Sequence, residues 1–163
     1  MNLLFLGNNF LTMKDIFIKT TIDELIIRIN NLSNSSQPKW GEMDVSQMLA
    51  HVNKATEMAF GGIKTKRMFI GRIIGKKILK KAIGNDRYLA KNSPTSPEIK
   101  IADKVAFDEE KQNLISLLQL FISDKAAEKL EGNVHPFFGK MTADQWNKLG
   151  YKHVDHHLRQ FGV

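Results

Sequence analysis

The chain has 163 residues, no cysteine and a net charge of +7. This length favours one domain with a sizeable core, and the lack of cysteine excludes disulfides, cysteine-based zinc sites and cysteine nucleophiles. No run of about 18 apolar residues predicts a transmembrane helix, and the first residues lack the features of a signal peptide. We therefore expect a cytoplasmic protein with a loose tail over residues 1–12, or translation from Met13, and one domain over residues 13–163.

Apolar residues at helical spacing predict helices over residues 13–32, 45–60, 67–83 and 107–123. Asp44 and Gln47 form a capping box before the second helix. The third helix is amphipathic and basic, and a long connection with two prolines follows it over residues 84–106. After a short helical piece within 124–134 and a turn at 135–140, Thr142 caps a last helix over residues 143–160. These elements predict an all-α fold, a four-helix bundle with an inserted basic helix and a long loop.

The positive charge is concentrated around the basic helix. Residues 61–91 contain ten Lys and Arg residues against the single acid Asp86, which gives +9 there and −2 over the rest of the chain. Phe69 is the single aromatic residue among the cations of the helix and no DNA-binding motif is present, so we predict no nucleic-acid partner. Its isoleucines are expected to cover the bundle, although a role at a membrane surface stays open. These isoleucines are Ile70, Ile73, Ile74 and Ile78.

The last predicted helix contains three of the five histidines. His153 and His157 are four positions apart, so they stack on its apolar face, whereas His156 is placed toward the polar side of the helix. His51 is the only other histidine in a predicted helix. Three imidazoles from two helices can hold a divalent transition metal and leave positions open, so we predict a metal site of His51, His153 and His157. Histidines at this spacing also occur as a polar helix edge or a hydrogen-bonded core pair, and that alternative stays open.

Three further residues are candidates for the surroundings of this site. Gln160 lies near the metal face, where it could orient an imidazole. Trp146 shares the histidine face but is more typical of a core residue, and His135 belongs to a turn and either lines the pocket or is structural. Because Val154 follows His153, the helix lacks the H-E-x-x-H motif, and no catalytic base is evident.

Several stretches resemble the DinB/YfiT-like superfamily of metal-binding four-helix bundles. They are residues 40–52, residues 153–160 with the pattern H-x-x-H-H-x-x-Q, and residues 93–98 and 135–142, which are similar to an uncharacterised branch of that superfamily. The resemblance implies that the metal ligands are His51, His153 and His157, the same three that the helical geometry selects. It also implies that a small thiol is the co-substrate and that the metal stabilises its thiolate.

We therefore expect a metal-dependent enzyme for a small-molecule substrate, either a thiol-dependent S-transferase or a hydrolase. Zinc or nickel are the expected metals, with iron as a further option. The alternative is a non-catalytic helical bundle that binds a small ligand or an anion. A homodimer stays open, and no integral membrane segment is expected.

Overall fold

The computed structural model describes residues 13–163, so the tail predicted over residues 1–12 lies outside the described residues. The described chain forms six α-helices and one small hairpin. The helices are α1 (Lys19–Asn30), α2 (Val45–Ala59), α3 (Phe69–Ile83), α4 (Phe107–Gln119), α5 (Ala126–Leu130) and α6 (Ala143–Gln160). Strands β1 (Val134–His135) and β2 (Gly139–Lys140) pair antiparallel, and short 3₁₀ turns lie at Pro97–Ile99 and Leu120–Ile122.

The mainly helical prediction is confirmed, whereas the four-helix bundle is not confirmed. The turn expected at residues 135–140 is the hairpin, whose strands of two residues each are too short to leave an alternating pattern in the sequence. Residues 13–18 were assigned to the first helix, but α1 begins only at Lys19. Over residues 13–163, no helix combines the length and the apolar character needed to cross a bilayer.

Local capping signals fix the start of the two helices that carry the histidines. The Asp44 carboxylate accepts a hydrogen bond from the Gln47 backbone N–H, and the Gln47 side chain accepts one from the Asp44 backbone N–H. Thr142 and Gln145 form the same reciprocal pair at the start of α6. Each box satisfies backbone donors that a helix N-terminus leaves free, so α2 and α6 begin where the sequence predicts.

The core forms where α2 packs against α4 and α6, and where α1 packs against α4 and α6. Burial of each large aliphatic side chain at these contacts stabilises the fold by about 1.5–3 kcal/mol. The Arg28 guanidinium on α1 also lies 2.8 Å from the Asp155 carboxylate on α6, so that Asp155 faces α1 and not the histidines. Buried side chains of this core include Leu25, Ile29, Met48, Leu49, Leu118 and Leu158.

Helix α3 contacts the rest of the molecule through Leu79, which joins the core, and through two glycines. Gly71 and Gly75 are buried, and a Cβ atom at either position would lie 2.3 or 2.2 Å from the Phe137 carbonyl oxygen in the hairpin turn. The predicted orientation of this helix is therefore wrong. Because the two backbones approach so closely, only glycine fits between them, and the isoleucines expected to cover the core are exposed instead.

The C-terminal end of α3 is held by a buried lysine from α6. Lys152 is 1% exposed, and its Nζ donates hydrogen bonds to the carbonyl oxygens of Ala82, Asn85 and Arg87 at 2.6, 2.6 and 2.8 Å. A positive charge at this position satisfies carbonyls that the helix end leaves free and interacts favourably with the helix dipole. The same three bonds fix the start of the long connection that leads to the histidines.

Candidate metal centre

Three histidines from two helices converge in the interior. His51 extends from α2, and His153 and His157 extend from successive turns of α6. One ring nitrogen from each lies within 4.8 Å of the other two. The three ring centroids are 4.7, 4.9 and 5.1 Å apart, and His51 and His157 are buried while His153 is partly exposed.

A backbone carbonyl fixes the protonation of His51. Its Nδ1 lies 2.8 Å from the carbonyl oxygen of Ile99, which belongs to the 3₁₀ turn of the long connection. A carbonyl can only accept, so Nδ1 carries the proton and Nε2 presents a lone pair to the cluster. An imidazole held this way by its other nitrogen is the usual arrangement of a metal-ligating histidine.

Gln160 fixes the protonation of His157 by the same logic. The Gln160 amide nitrogen donates to the Trp40 carbonyl at 2.7 Å, so its oxygen is the atom that lies 2.8 Å from His157 Nδ1. Nδ1 of His157 therefore donates, and its Nε2 is left as an acceptor. Gly41 makes room for this contact, because a Cβ atom there would lie 2.7 Å from the amide nitrogen, and its φ of +82° also favours glycine.

The spacing of the free nitrogens agrees with a coordinated ion. His51 Nε2 and His153 Nε2 are 3.2 Å apart. Two nitrogen ligands at about 2.0–2.1 Å from a tetrahedral ion are separated by roughly 3.3–3.4 Å, so little movement would be needed to bind one. Without an ion, His153 can donate a proton across this gap to His51. The residues present therefore fit a divalent metal by number and type, and the tautomers of His51 and His157 leave the Nε2 of each ring free.

Burial keeps all three imidazoles neutral. It lowers the pKa of His51, although the hydrogen bond to Ile99 partly opposes the shift. Burial and then the neighbouring His51 lower the pKa of His157 to about 3. The pKa of His153 falls well below its usual range, first through burial and then through the other two histidines. Because a metal binds the unprotonated ring, the neutral state at pH 7 prepares the cluster for it.

A cleft of about 1380 Å³ opens at the three histidines. Apolar side chains from α3, the hairpin and α6 form much of its wall, among them Met68, Ile70, Phe137, Phe138 and Leu149. Lys81, Arg87 and Lys100 also line it, whereas Glu42 is the only acid among its lining residues in the described chain. The cleft therefore suits a largely apolar molecule that is neutral or carries a negative charge.

His135 and Trp146 both line this cleft, beside each other. Nδ1 of His135 accepts hydrogen bonds from the backbone N–H groups of Phe137 and Phe138 at 3.1 and 3.2 Å, so Nε2 carries its proton. Burial and then the Arg67 charge lower the pKa of His135 to about 4. The indole N–H of Trp146 is buried and has no hydrogen-bond partner among the described residues. Both residues that line the cleft here therefore carry an N–H donor.

The position of His156 and the role of two backbone carbonyls are features of the site that the histidine pattern does not predict. His156 was placed toward the polar side of the last helix, yet it lines the cleft with its ring 5.1 Å from that of His157 and 5.6 Å from that of Trp40. It is not one of the three clustered histidines. The carbonyls of Ile99 and Trp40 carry no signal in the sequence, because every residue has one and only the path of the loops brings these two to the site.

Comparison with known families matches one family model, described as "Protein of unknown function (DUF1569)", to residues 14–162. No curated protein and no solved structure matches the chain significantly. The resemblance to the DinB/YfiT-like superfamily is therefore wrong as a family assignment, because the matching family is a distinct one. The small-thiol chemistry inferred from that resemblance loses its basis with it. Across almost the whole described chain the match is continuous, and the protein belongs to the DUF1569 family.

Proposed function

We propose that this protein is a metal-dependent enzyme in which His51, His153 and His157 hold one divalent ion and the cleft binds a small, largely apolar substrate. One observation carries the proposal. The Ile99 carbonyl and the Gln160 amide bind Nδ1 of His51 and His157, so that both Nε2 lone pairs are directed into a single cluster.

The donor set favours zinc or nickel, with iron as a further option. Neutral imidazole nitrogens suit all three metals, and a zinc site with three protein ligands leaves one position for water or substrate, as in catalytic sites. All three histidines line the cleft, and His153 is the partly exposed residue among them. The open position would therefore be on the side from which a substrate enters.

A hydrolytic reaction is the chemistry that these residues support best. When bound, such an ion polarises a carbonyl or phosphoryl oxygen and lowers the pKa of a water molecule. His156 is the proposed proton acceptor, because it lines the cleft beside His157 and burial lowers its pKa, which keeps the ring neutral. The N–H groups of Trp146 and His135 would hold a substrate oxygen.

Metal analysis of the protein purified without a histidine tag tests the metal centre. We expect one equivalent of a transition metal in the native protein and none in His153→Ala or His157→Ala. The matched control is His156→Ala on the same helix, which keeps its metal because His156 is not one of the clustered histidines. Full metal occupancy in His157→Ala, or loss only in His156→Ala, would overturn the assignment.

Activity is tested separately with a panel of aryl esters and aryl phosphates. With zinc bound, we expect His156→Gln to lower kcat by about 10²-fold or more at unchanged metal content, as for loss of a general base. His135→Asn and Trp146→Phe should act mainly on KM. If the zinc-loaded native protein hydrolyses none of the panel faster than free zinc does, hydrolysis is the wrong reaction.

One observation favours a non-catalytic binding protein as the second candidate. His51 Nε2 and His153 Nε2 are close enough, at 3.2 Å, to share a hydrogen bond, so the cluster is also stable without a metal. In that case, the cleft would bind a small apolar or anionic ligand through its Trp146 donor and its cationic residues. Metal-free native protein that retains full thermal stability and gains none from added zinc or nickel would support this candidate.

A further inference from the structure

Bulky apolar residues lie on the outer surface of α3. Phe69 and Ile73 are 77% and 67% exposed, whereas Ile70, at 47%, lies on the side that lines the cleft. Scattered exposed apolar residues are ordinary, but several on one helix mark an interaction surface. Gly71 and Gly75 lie directly against Phe137 of the hairpin, where any larger side chain would collide. The helix therefore cannot rotate to bring Phe69 or Ile73 to this inner side. The surface is therefore a fixed feature of the fold.

Basic residues share this surface. Phe69, Ile73, Lys77 and Lys80 follow one another at spacings of four, four and three residues, which places them within about 80° on the helix. Arg72 and Lys76 are exposed beside them, and α3 contains no acidic residue. Helices that lie in the interface of a membrane combine exposed bulky apolar side chains with Lys and Arg, whose long side chains reach the headgroups. We call Phe69, Arg72, Ile73, Lys76, Lys77 and Lys80 the outer face.

We propose that the outer face of α3 binds the surface of an anionic lipid bilayer. Phe69 and Ile73 enter the boundary between headgroups and acyl chains, and Lys77 and Lys80 extend to the phosphates. Charge complementarity selects this partner. A symmetric contact with a second copy of the chain would bring two rows of lysines together, and nucleic acid offers no apolar layer for Phe69 and Ile73.

Sedimentation with lipid vesicles tests the proposal on the full chain. We expect the native protein to bind vesicles of phosphatidylcholine with phosphatidylglycerol, to bind pure phosphatidylcholine weakly, and to be released by high salt. Phe69→Ser combined with Ile73→Ser should weaken binding about tenfold or more, given the apolar area withdrawn from the lipid. The matched apolar control is Ile27→Ser on α1, where a 62% exposed isoleucine lies outside the surface. This control should bind like the native protein.

A matched pair of double variants tests the contribution of the lysines. Lys77→Glu with Lys80→Glu should abolish binding to the anionic vesicles, whereas Lys125→Glu with Lys129→Glu changes the net charge equally at two exposed positions near α5 and should retain it. Equal losses in both variants would overturn the proposal in favour of a general charge effect. Failure of the native protein to bind the anionic vesicles would also overturn the proposal. The same holds if the native protein is a dimer that Phe69→Ser with Ile73→Ser converts to monomers without any effect on vesicle binding.

Discussion

At Lys152, a charged group is buried against three backbone carbonyls from the end of α3 and the loop after it. We expect Lys152→Met to lower the free energy of unfolding by about 3 kcal/mol, because three buried acceptors lose their donor while the volume is nearly kept. The control is Lys148→Met one turn earlier, whose exposed pair with Asp144 contributes less than about 1 kcal/mol. Urea denaturation of the two variants measures the difference, and equal losses would contradict this role of Lys152.

The contact of Gln160 with His157 shows which residue-scale features the sequence can predict. Gln160 was identified as a candidate to orient an imidazole from its position on the last helix, which depends only on helical spacing. Its second bond, to the Trp40 carbonyl, and the space provided by Gly41 depend on a loop 120 residues away in sequence. Local periodicity carries no information on such a contact, so Gly41 was missed.

At the scale of a helix, the glycines of α3 decide its orientation. We expect Gly75→Ala to destabilise the protein by about 2 kcal/mol or more, since its Cβ would lie 2.2 Å from the Phe137 carbonyl oxygen and one backbone would have to shift. Gly150→Ala in α6 is the contrasting variant. Its Cβ would lie 3.3 Å from the Phe121 ring, a side chain that can move, and the gain in helix propensity offsets the strain. Thermal unfolding that ranks Gly150→Ala as the less stable variant would refute this explanation.

The same helix explains where the sequence analysis of the fold failed. Helices α2 and α6 were predicted to within a residue because a capping box and a continuous apolar stripe are local signals. For α3, the rule that bulky apolar residues face the core selected the wrong side. The two backbones can approach closely only because Gly71 and Gly75 have no side chain. A pattern of apolar residues does not register glycine as a buried position, so it could not predict this contact.

For the whole molecule, the buried neutral histidines make stability depend on pH. His135 has its pKa lowered from 6.5 to about 4, so below pH 6.5 the unfolded chain binds a proton that the folded chain excludes. Stability is therefore unaffected above this range and falls as the pH decreases from 6.5 toward 4. His157, with a pKa of about 3, acts in the same direction. We expect the metal-free protein to lose on the order of 1 kcal/mol per such histidine between pH 7 and pH 5.

His135→Asn isolates one of these contributions. The Asn oxygen can replace Nδ1 as the acceptor for the Phe137 and Phe138 amides, but it does not titrate. Urea denaturation of chelator-treated protein at pH 7 and pH 5 should give a smaller pH difference for this variant than for the native chain, whatever its absolute stability. An unchanged pH difference would mean that His135 does not contribute.

The polar partners of His51 and His157 end in backbone, at the carbonyls of Ile99 and Trp40. A carbonyl survives any change of side chain, so positions 99 and 40 are free to drift in evolution as far as this role is concerned. Packing constrains the Ile99 side chain, and the Trp40 ring also contacts Lys91 and His156. Gln160 and Gly41 act through the side chain that they have or lack. A search for related sites that compares residue identities would therefore find the histidines and Gln160 but would miss the two backbone carbonyls that help to hold them. The path of the two loops, which sequence identity records poorly, is the better criterion for recognising this centre in distant chains.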